Sequence, residues 1–205
     1  MKFFLSPITY LLPLLAAAQI LMLSSCGSHK KYDNPAVVVA TKFGDIVMEL
    51  YPEKAPASVA AFLKNVDAGY YTNASFYRIM SDDNQVTGVP HSNLIQGGIW
   101  QSNPALEKTL PKIPHETTKT TGLAHTKGTV SLARLEPGSA ESEFFICIND
   151  EPGFDYGGTN NPDGQGYAAF GKVTEGMETV QKIYRQPEHE QSFTPPVTII
   201  NIKRL

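Results

Sequence analysis

A succession of short β-rich runs, separated by glycine, proline and polar turns, constrains this chain more than any other feature. The runs fall at residues 37–41, 46–51, 75–80, 128–135, 144–149, 167–173 and 197–205. Lys42-Phe43-Gly44-Asp45 between the first two is a hairpin signature. Helical spacing occurs in two places. Val59, Phe62, Leu63 and Val66 make one helical face, stopped by Gly69, and Met177, Val180, Ile183 and Tyr184 make another. Many short strands with two helices predict a mostly β fold, a barrel capped by helices. There are no internal repeats and no sign of a second domain. The interior of such a barrel is packed, so any active surface lies outside it.

The first 25 residues stand apart from this pattern. Met1-Lys2 is a minimal basic start, and 3–23 is mostly apolar with no charge. A short apolar run ending in small residues predicts an export signal over 1–25. Leu23-Ser24-Ser25-Cys26 resembles the lipobox of bacterial lipoproteins, which implies acylation of Cys26 as the new N-terminus. A plain transmembrane anchor is the alternative, since the run approaches the ~20 residues that span a bilayer. Pro7, Pro13 and the polar stretch after Cys26 favour lipidation. Residues 26–35 read as a tether and 36–205 as the folded domain. Its implied address is the cell envelope, on the periplasm-facing outer membrane, because Gly27 supplies no strong inner-membrane retention signal.

Charge and cysteine usage agree with that address. The chain carries a formal net charge of −3, more acidic once Lys2 is removed. Nucleic acid is a poor partner for such a chain, since phosphate neutralisation needs a basic excess on one face. Of the two cysteines, Cys26 is the lipid site and Cys147 sits in an apolar strand as a small buried hydrophobe, so no disulfide is expected. His29, His91, His115, His125 and His189 are scattered, with no metal-ligand spacing. The 155–165 loop lacks the alternating acids of a calcium loop. No serine sits in a nucleophile elbow. No metal and no cofactor are expected.

Two segments carry the chemistry. Phe76-Tyr77-Arg78-Ile79-Met80 sets one arginine among apolar and aromatic residues, an expensive placement unless the guanidinium is needed there. Leu94-Ile95-Gln96-Gly97-Gly98 puts a glutamine before a double glycine, where the backbone can turn tightly or admit a ligand. Glu143-Phe144-Phe145-Ile146-Cys147 and Ala169-Phe170-Gly171-Lys172-Val173 follow. In this order the segments resemble the cyclophilins, the cyclosporin-binding family of peptidyl-prolyl cis/trans isomerases, from about Ala36 to Leu205.

The resemblance implies a closed antiparallel barrel of about eight strands with a helix over each end. It also implies rotation about X-Pro bonds, with proline-containing polypeptides as substrates, and a monomer that assists the folding of exported proteins. Arg78 matches the family's catalytic arginine. Gln96 would hold the peptide backbone and Arg78. Phe145 would floor the proline pocket, with Leu94 and Phe154 as walls and Ala133 lining the bound peptide. Arg134 falls beside Ala133 in the same backbone stretch.

Several positions depart from the family pattern. The polar segment 81–92 looks like an inserted loop. Asn93 stands where phenylalanine is common, and Val89 of the insert could take its place. Glu143 stands for a glutamine and could draw Arg78 away from substrate. The tryptophan linked to tight cyclosporin binding falls near Gly153, the pocket histidine at Tyr167, and Trp100 is expected nowhere near that slot. Isomerase activity is therefore expected to outlast strong cyclosporin affinity. A proline-peptide binding module or chaperone with little turnover is the rival reading, kept open by Asn93 and Glu143.

Overall fold

A computed structural model describes residues 32–88 and 90–205. Its elements, in chain order, are strands β1 (Ala36–Thr41) and β2 (Gly44–Leu50), helix α1 (Pro56–Asp67), strands β3 (Ala74–Met80) and β4 (Leu94–Gly98), and short helices α2 (Pro104–Glu107) and α3 (Thr118–Thr121). Then come β5 (Thr129–Leu132), β6 (Phe144–Cys147), a 3-10 turn (Pro152–Phe154), β7 (Ala168–Glu175), helix α4 (Met177–Tyr184), β8 (Glu188–His189) and β9 (Ser192–Arg204). The sheet runs β1-β2-β7-β5-β6-β4-β3-β9, and β9 pairs back onto β1. Every pairing is antiparallel. The result is the expected closed eight-stranded barrel, with the two-residue β8 added to β9 as a hairpin.

Helices α1 and α4 cap opposite ends. α1 follows the Leu50 end of β2, and its Phe62 meets Tyr71, Phe144 and Phe170 with ring centroids 5.1–5.6 Å apart. A carboxylate from far downstream satisfies its N-terminus: Ala57 N and Ser58 N donate to Glu116 at 3.0 and 2.8 Å. At the other end, Thr179 of α4 sits against Gly44 at the start of β2, and Val180 and Ile183 enter the core.

Two departures from the strand pattern have physical causes. Residues 94–98 are a central strand, not a turn. Two glycines lower their intrinsic β preference, but pairing with β3 and β6 on either side overrides it. Gly97 is where the barrel draws tight, since a Cβ there would lie 2.6 Å from Ser75 O and 2.8 Å from the Phe76 ring. β9 begins at Ser192, earlier than the pattern indicates, because Pro195 and Pro196 mask its first half.

Side chains alternate between two apolar clusters. Phe144 and Ile146 of β6 and Ile95 of β4 point into the barrel core. Their neighbours Phe145, Cys147 and Leu94 point outward and form a second cluster with Phe154. Cys147 is fully buried there, and burial pushes its thiol well above the ordinary range. Residues 1–25 and Cys26 lie outside the described residues. The last part of the proposed tether lies against the barrel: Asn34 donates to Glu49 at 2.9 Å and Pro35 O accepts from Leu50 N at 2.8 Å.

Candidate active site

A break in one strand creates the site. Ala74 and Phe76 of β3 face the barrel interior, so strict alternation would send Arg78 inside as well. The register slips between Phe76 and Arg78 against both β4 and β9. This bulge puts Tyr77 and Arg78 on the outer face and returns Ile79 to the core. The outward row then runs across four strands, with Arg78 opposite Gln96, Gln96 opposite Phe145, and Phe145 opposite Ser131.

This row underlies a surface cavity of about 880 Å³. Arg78, Gln96, Glu143 and Ala133 line it, as do Leu94, Phe145, Phe154 and Tyr167. All the site residues expected within the folded domain therefore converge on one groove. Phe145, Phe154 and Tyr167 meet edge to face, with centroids 5.0–5.3 Å apart. Phe145 is 2 % exposed, a packed apolar floor.

Arg78 is half-buried and held by neutral groups. Nη1 donates to Gln96 Oε1 at 3.3 Å and Nη2 to Gln191 Oε1 at 2.9 Å. Gln96 Nε2 donates in turn to the Tyr77 hydroxyl at 2.8 Å. Burial raises the Tyr77 phenol far above its ordinary value, with the Glu143 carboxylate adding to the effect.

Glu143 does not pair with Arg78. Its Oε1 accepts from Ile99 N at 2.8 Å, Trp100 N at 3.0 Å and Ser142 Oγ at 3.0 Å. Gly98, at φ +152°, leaves room for this carboxylate, which a Cβ there would strike. The double glycine therefore accommodates an internal side chain as well as a close strand. Asn93 also turns away from the cavity. Its Nδ2 donates to Asp82 at 3.1 Å and its Oδ1 accepts from Tyr184 at 2.6 Å. Val89 lies outside the described residues, but Val86 and Pro90 of the insert do line the groove.

Two loops wall the groove. The insert is closed on itself by Gln85, which bonds Ser81 O and Ser92 O at 2.8 Å each and Ser92 N at 3.1 Å. Asn160 of the long loop after Phe154 donates to Ser92 and joins the two walls. The same Asn160 occupies the space a side chain at Gly153 would need. Arg134 lines the groove and clamps this loop, with Asp163 bidentate at 2.7 and 2.9 Å and Gly166 O at 2.9 Å from Nε. Its guanidinium also covers the Tyr167 ring.

Sequence reasoning missed several contributors. Behind the floor, Asp155 Oδ1 bonds His125 Nδ1 at 2.8 Å, and His125 Nε2 bonds Ser131 Oγ at 2.9 Å. The order resembles a hydrolase triad, but Ser131 is fully buried and His125 is 1 % exposed, stacked on Phe145 at 6.0 Å. It braces the pocket floor. Burial pushes the Asp155 carboxyl up, but its hydrogen bonds from His125 outweigh this and leave it below the ordinary range. Trp100, half exposed, tilts on Tyr77 at 5.3 Å and lines the far side of the groove. Glu107 lies on that side too, and hydrogen bonding to Glu141 pushes its carboxyl up to about 7. No local spacing links any of these residues in the sequence.

Residues 36–204 match the family model described as cyclophilin type peptidyl-prolyl cis-trans isomerase/CLD. A peptidyl-prolyl cis-trans isomerase of Acinetobacter baylyi is 35% identical over 176 residues, covering 83% of this chain and 85% of its own length. Peptidyl-prolyl cis-trans isomerase B of Escherichia coli is 33% identical over 148 residues, covering 72% and 82%. The crystal structure of a cyclophilin type isomerase from Cryptosporidium parvum superposes with a TM-score of 0.63 at 22% identity, covering 83% of this chain and 97% of that one. With the barrel closed, the motifs in register and the match spanning the folded domain, the chain belongs to the cyclophilin-type peptidyl-prolyl cis-trans isomerases.

Proposed function

We propose that this isomerase turns X-Pro bonds with Arg78 as its hydrogen-bond donor and Phe145 as the floor under the proline ring. It does so at the cell envelope, where a lipid on Cys26 holds it as a monomer on the periplasmic face of the outer membrane. Its substrates there are exported polypeptides that are still folding. The observation that carries the reading is the row Arg78, Gln96, Phe145 along one groove, a fixed cation beside an apolar floor.

The chemistry follows from the amide. Rotation is opposed by ~18–20 kcal/mol of lost resonance. As the bond twists, the proline nitrogen regains its lone pair and becomes a hydrogen-bond acceptor. A guanidinium fixed beside it binds the twisted state better than the planar one and so lowers the barrier. The apolar floor holds the ring while the preceding carbonyl swings, so neither a nucleophile nor a metal has to take part.

The binding-module reading loses the features that sustained it. Glu143 is bonded to backbone amides and Asn93 to Asp82 and Tyr184, so neither draws on Arg78. A protease-coupled assay with a proline tetrapeptide tests the proposal. The chain should abolish the slow cis-to-trans phase, whereas a pure binder would shield the peptide and leave that phase at its uncatalysed rate.

A further inference from the structure

Arg78 is held from two sides, and the second hold comes from a part of the chain that no motif marks. Gln191 lies 113 residues from Arg78. It sits in the hairpin turn between β8 and β9, where Glu190 and Gln191 both have positive φ, 48° and 65°. That is the conformation a two-residue turn of this hand requires, so the turn is tight and its direction set. Gln191 O accepts from Ile79 N at 2.9 Å, which ties the turn to β3 one residue past the arginine. Gln191 N donates to Glu188 at 3.0 Å, and Nε2 donates to Asn84 O of the insert at 3.2 Å. With its other polar groups engaged, Oε1 points at Arg78 Nη2 at 2.9 Å.

We propose that Gln191 is a positioning residue of this isomerase, fixing the Arg78 guanidinium in its catalytic orientation, with the β8–β9 hairpin and the 81–92 insert as its mount. The proposal rests on the reading of Arg78 as the donor to the twisting amide. An arginine side chain has much rotamer freedom, so a guanidinium on one bond to Gln96 would sample orientations useless to the amide. Bonds to strand β4 on one side and to the hairpin on the other hold the plane of the fork. They occupy Nη1 and Nη2 with one bond each and leave the remaining N–H groups to face substrate. An amide suits this role better than a carboxylate, because it orients the cation without forming an ion pair that competes with the substrate.

The test compares full-length wild type, Gln191→Leu, Arg78→Ala and the double variant, by isomerisation kinetics and thermal melting. Gln191→Leu should lower kcat about tenfold with KM unchanged, as expected when a catalytic group is loosened but substrate contacts remain. In the Arg78→Ala background the same change should alter kcat by less than about twofold, because the two residues act as one unit. Nitrogen-detected spectra of Arg78 give a reading independent of turnover. The wild-type guanidinium should show slowed rotation of its Nη groups, and Gln191→Leu should release it. Equal fractional losses in both backgrounds, or Arg78 signals as averaged in wild type as in the variant, overturn the proposal. An active wild type with inactive Arg78→Ala and fully active Gln191→Leu overturns this inference alone. A wild type that leaves the slow phase unchanged overturns the underlying assignment of Arg78 as well.

Discussion

Arg78 occupies a groove, and its removal opens no cavity in the barrel core, so its loss should separate catalysis from stability. Arg78→Ala is expected to melt with wild type and to lose about 2–4 kcal/mol of transition-state stabilisation, as for loss of one preorganised donor. Peptide affinity should fall far less, since Phe145 and Leu94 still cover the ring. Arg78→Lys keeps the charge without the planar fork and should recover only part of the rate. Isomerisation constants beside melting curves check this, and a normally active Arg78→Ala would reassign the residue to a structural role. Glu143 makes the complementary case. Glu143→Gln retains an oxygen for Ile99 N and Trp100 N and should keep kcat within about twofold, as expected for a substitution that removes no contact. Glu143→Ala strands those amides and should cost about 1–3 kcal/mol in chemical denaturation. A large rise in kcat for Glu143→Gln would instead show that the carboxylate restrains Arg78. The arginine, the glutamine and the pocket phenylalanine were legible in the sequence because each sits inside a short motif. The direction of Glu143 and Asn93 was not, because Ile99 and Tyr184, which help hold them, lie 44 and 91 residues away in the chain.

At the scale of elements, period-two patterning located most strands but not the feature that makes β3 functional. The bulge at Tyr77 is invisible in a run of apolar and aromatic residues, because it is imposed by pairing with β4 and β9 on both sides. The loops show the same limit. Polarity and turn residues marked 81–92 as a loop, and the family resemblance made it look inserted, but its union with the long loop through Asn160 and Ser92 is a tertiary event. The loop after Phe154 also carries a titration that can be measured. Asp155 has a folded pKa below its ordinary 3.8. Such a carboxyl contributes stability above the unfolded value, and the contribution disappears as pH falls through the lower folded value. Melting temperature should therefore drop on acidification below about pH 4, the ordinary aspartate range. Asp155→Asn should lower the melting temperature at neutral pH and make the acid slope shallower. An unchanged slope in the variant would show that Asp155 and His125 are not coupled in solution.

At the scale of the whole molecule, the described residues form a barrel whose outer face is walled by two loops, and the proposed lipid anchor lies outside them. Cys26→Ser should abolish lipid attachment and leave unprocessed precursor, measurable by labelling with a fatty-acid analogue and by mass. Normal processing and detergent-dependent extraction of that variant would remove the lipid anchor from the proposal. Cyclosporin should inhibit weakly, because the place of the usual indole at Gly153 is filled by Asn160 and Tyr167 replaces the usual imidazole. Nanomolar inhibition would show that the loops around Phe154 are wrongly matched to the family's drug contacts. The class of fold and the family could be read from the sequence, since alternation, turn chemistry and motif order are all properties of neighbouring residues. How the chain turns Arg78 onto the outer face and what holds it there come from tertiary contacts. A register slip, the hairpin that brings in Gln191 and the His125–Asp155 brace all arise from contacts between segments far apart in the chain, and local pattern carries no trace of them.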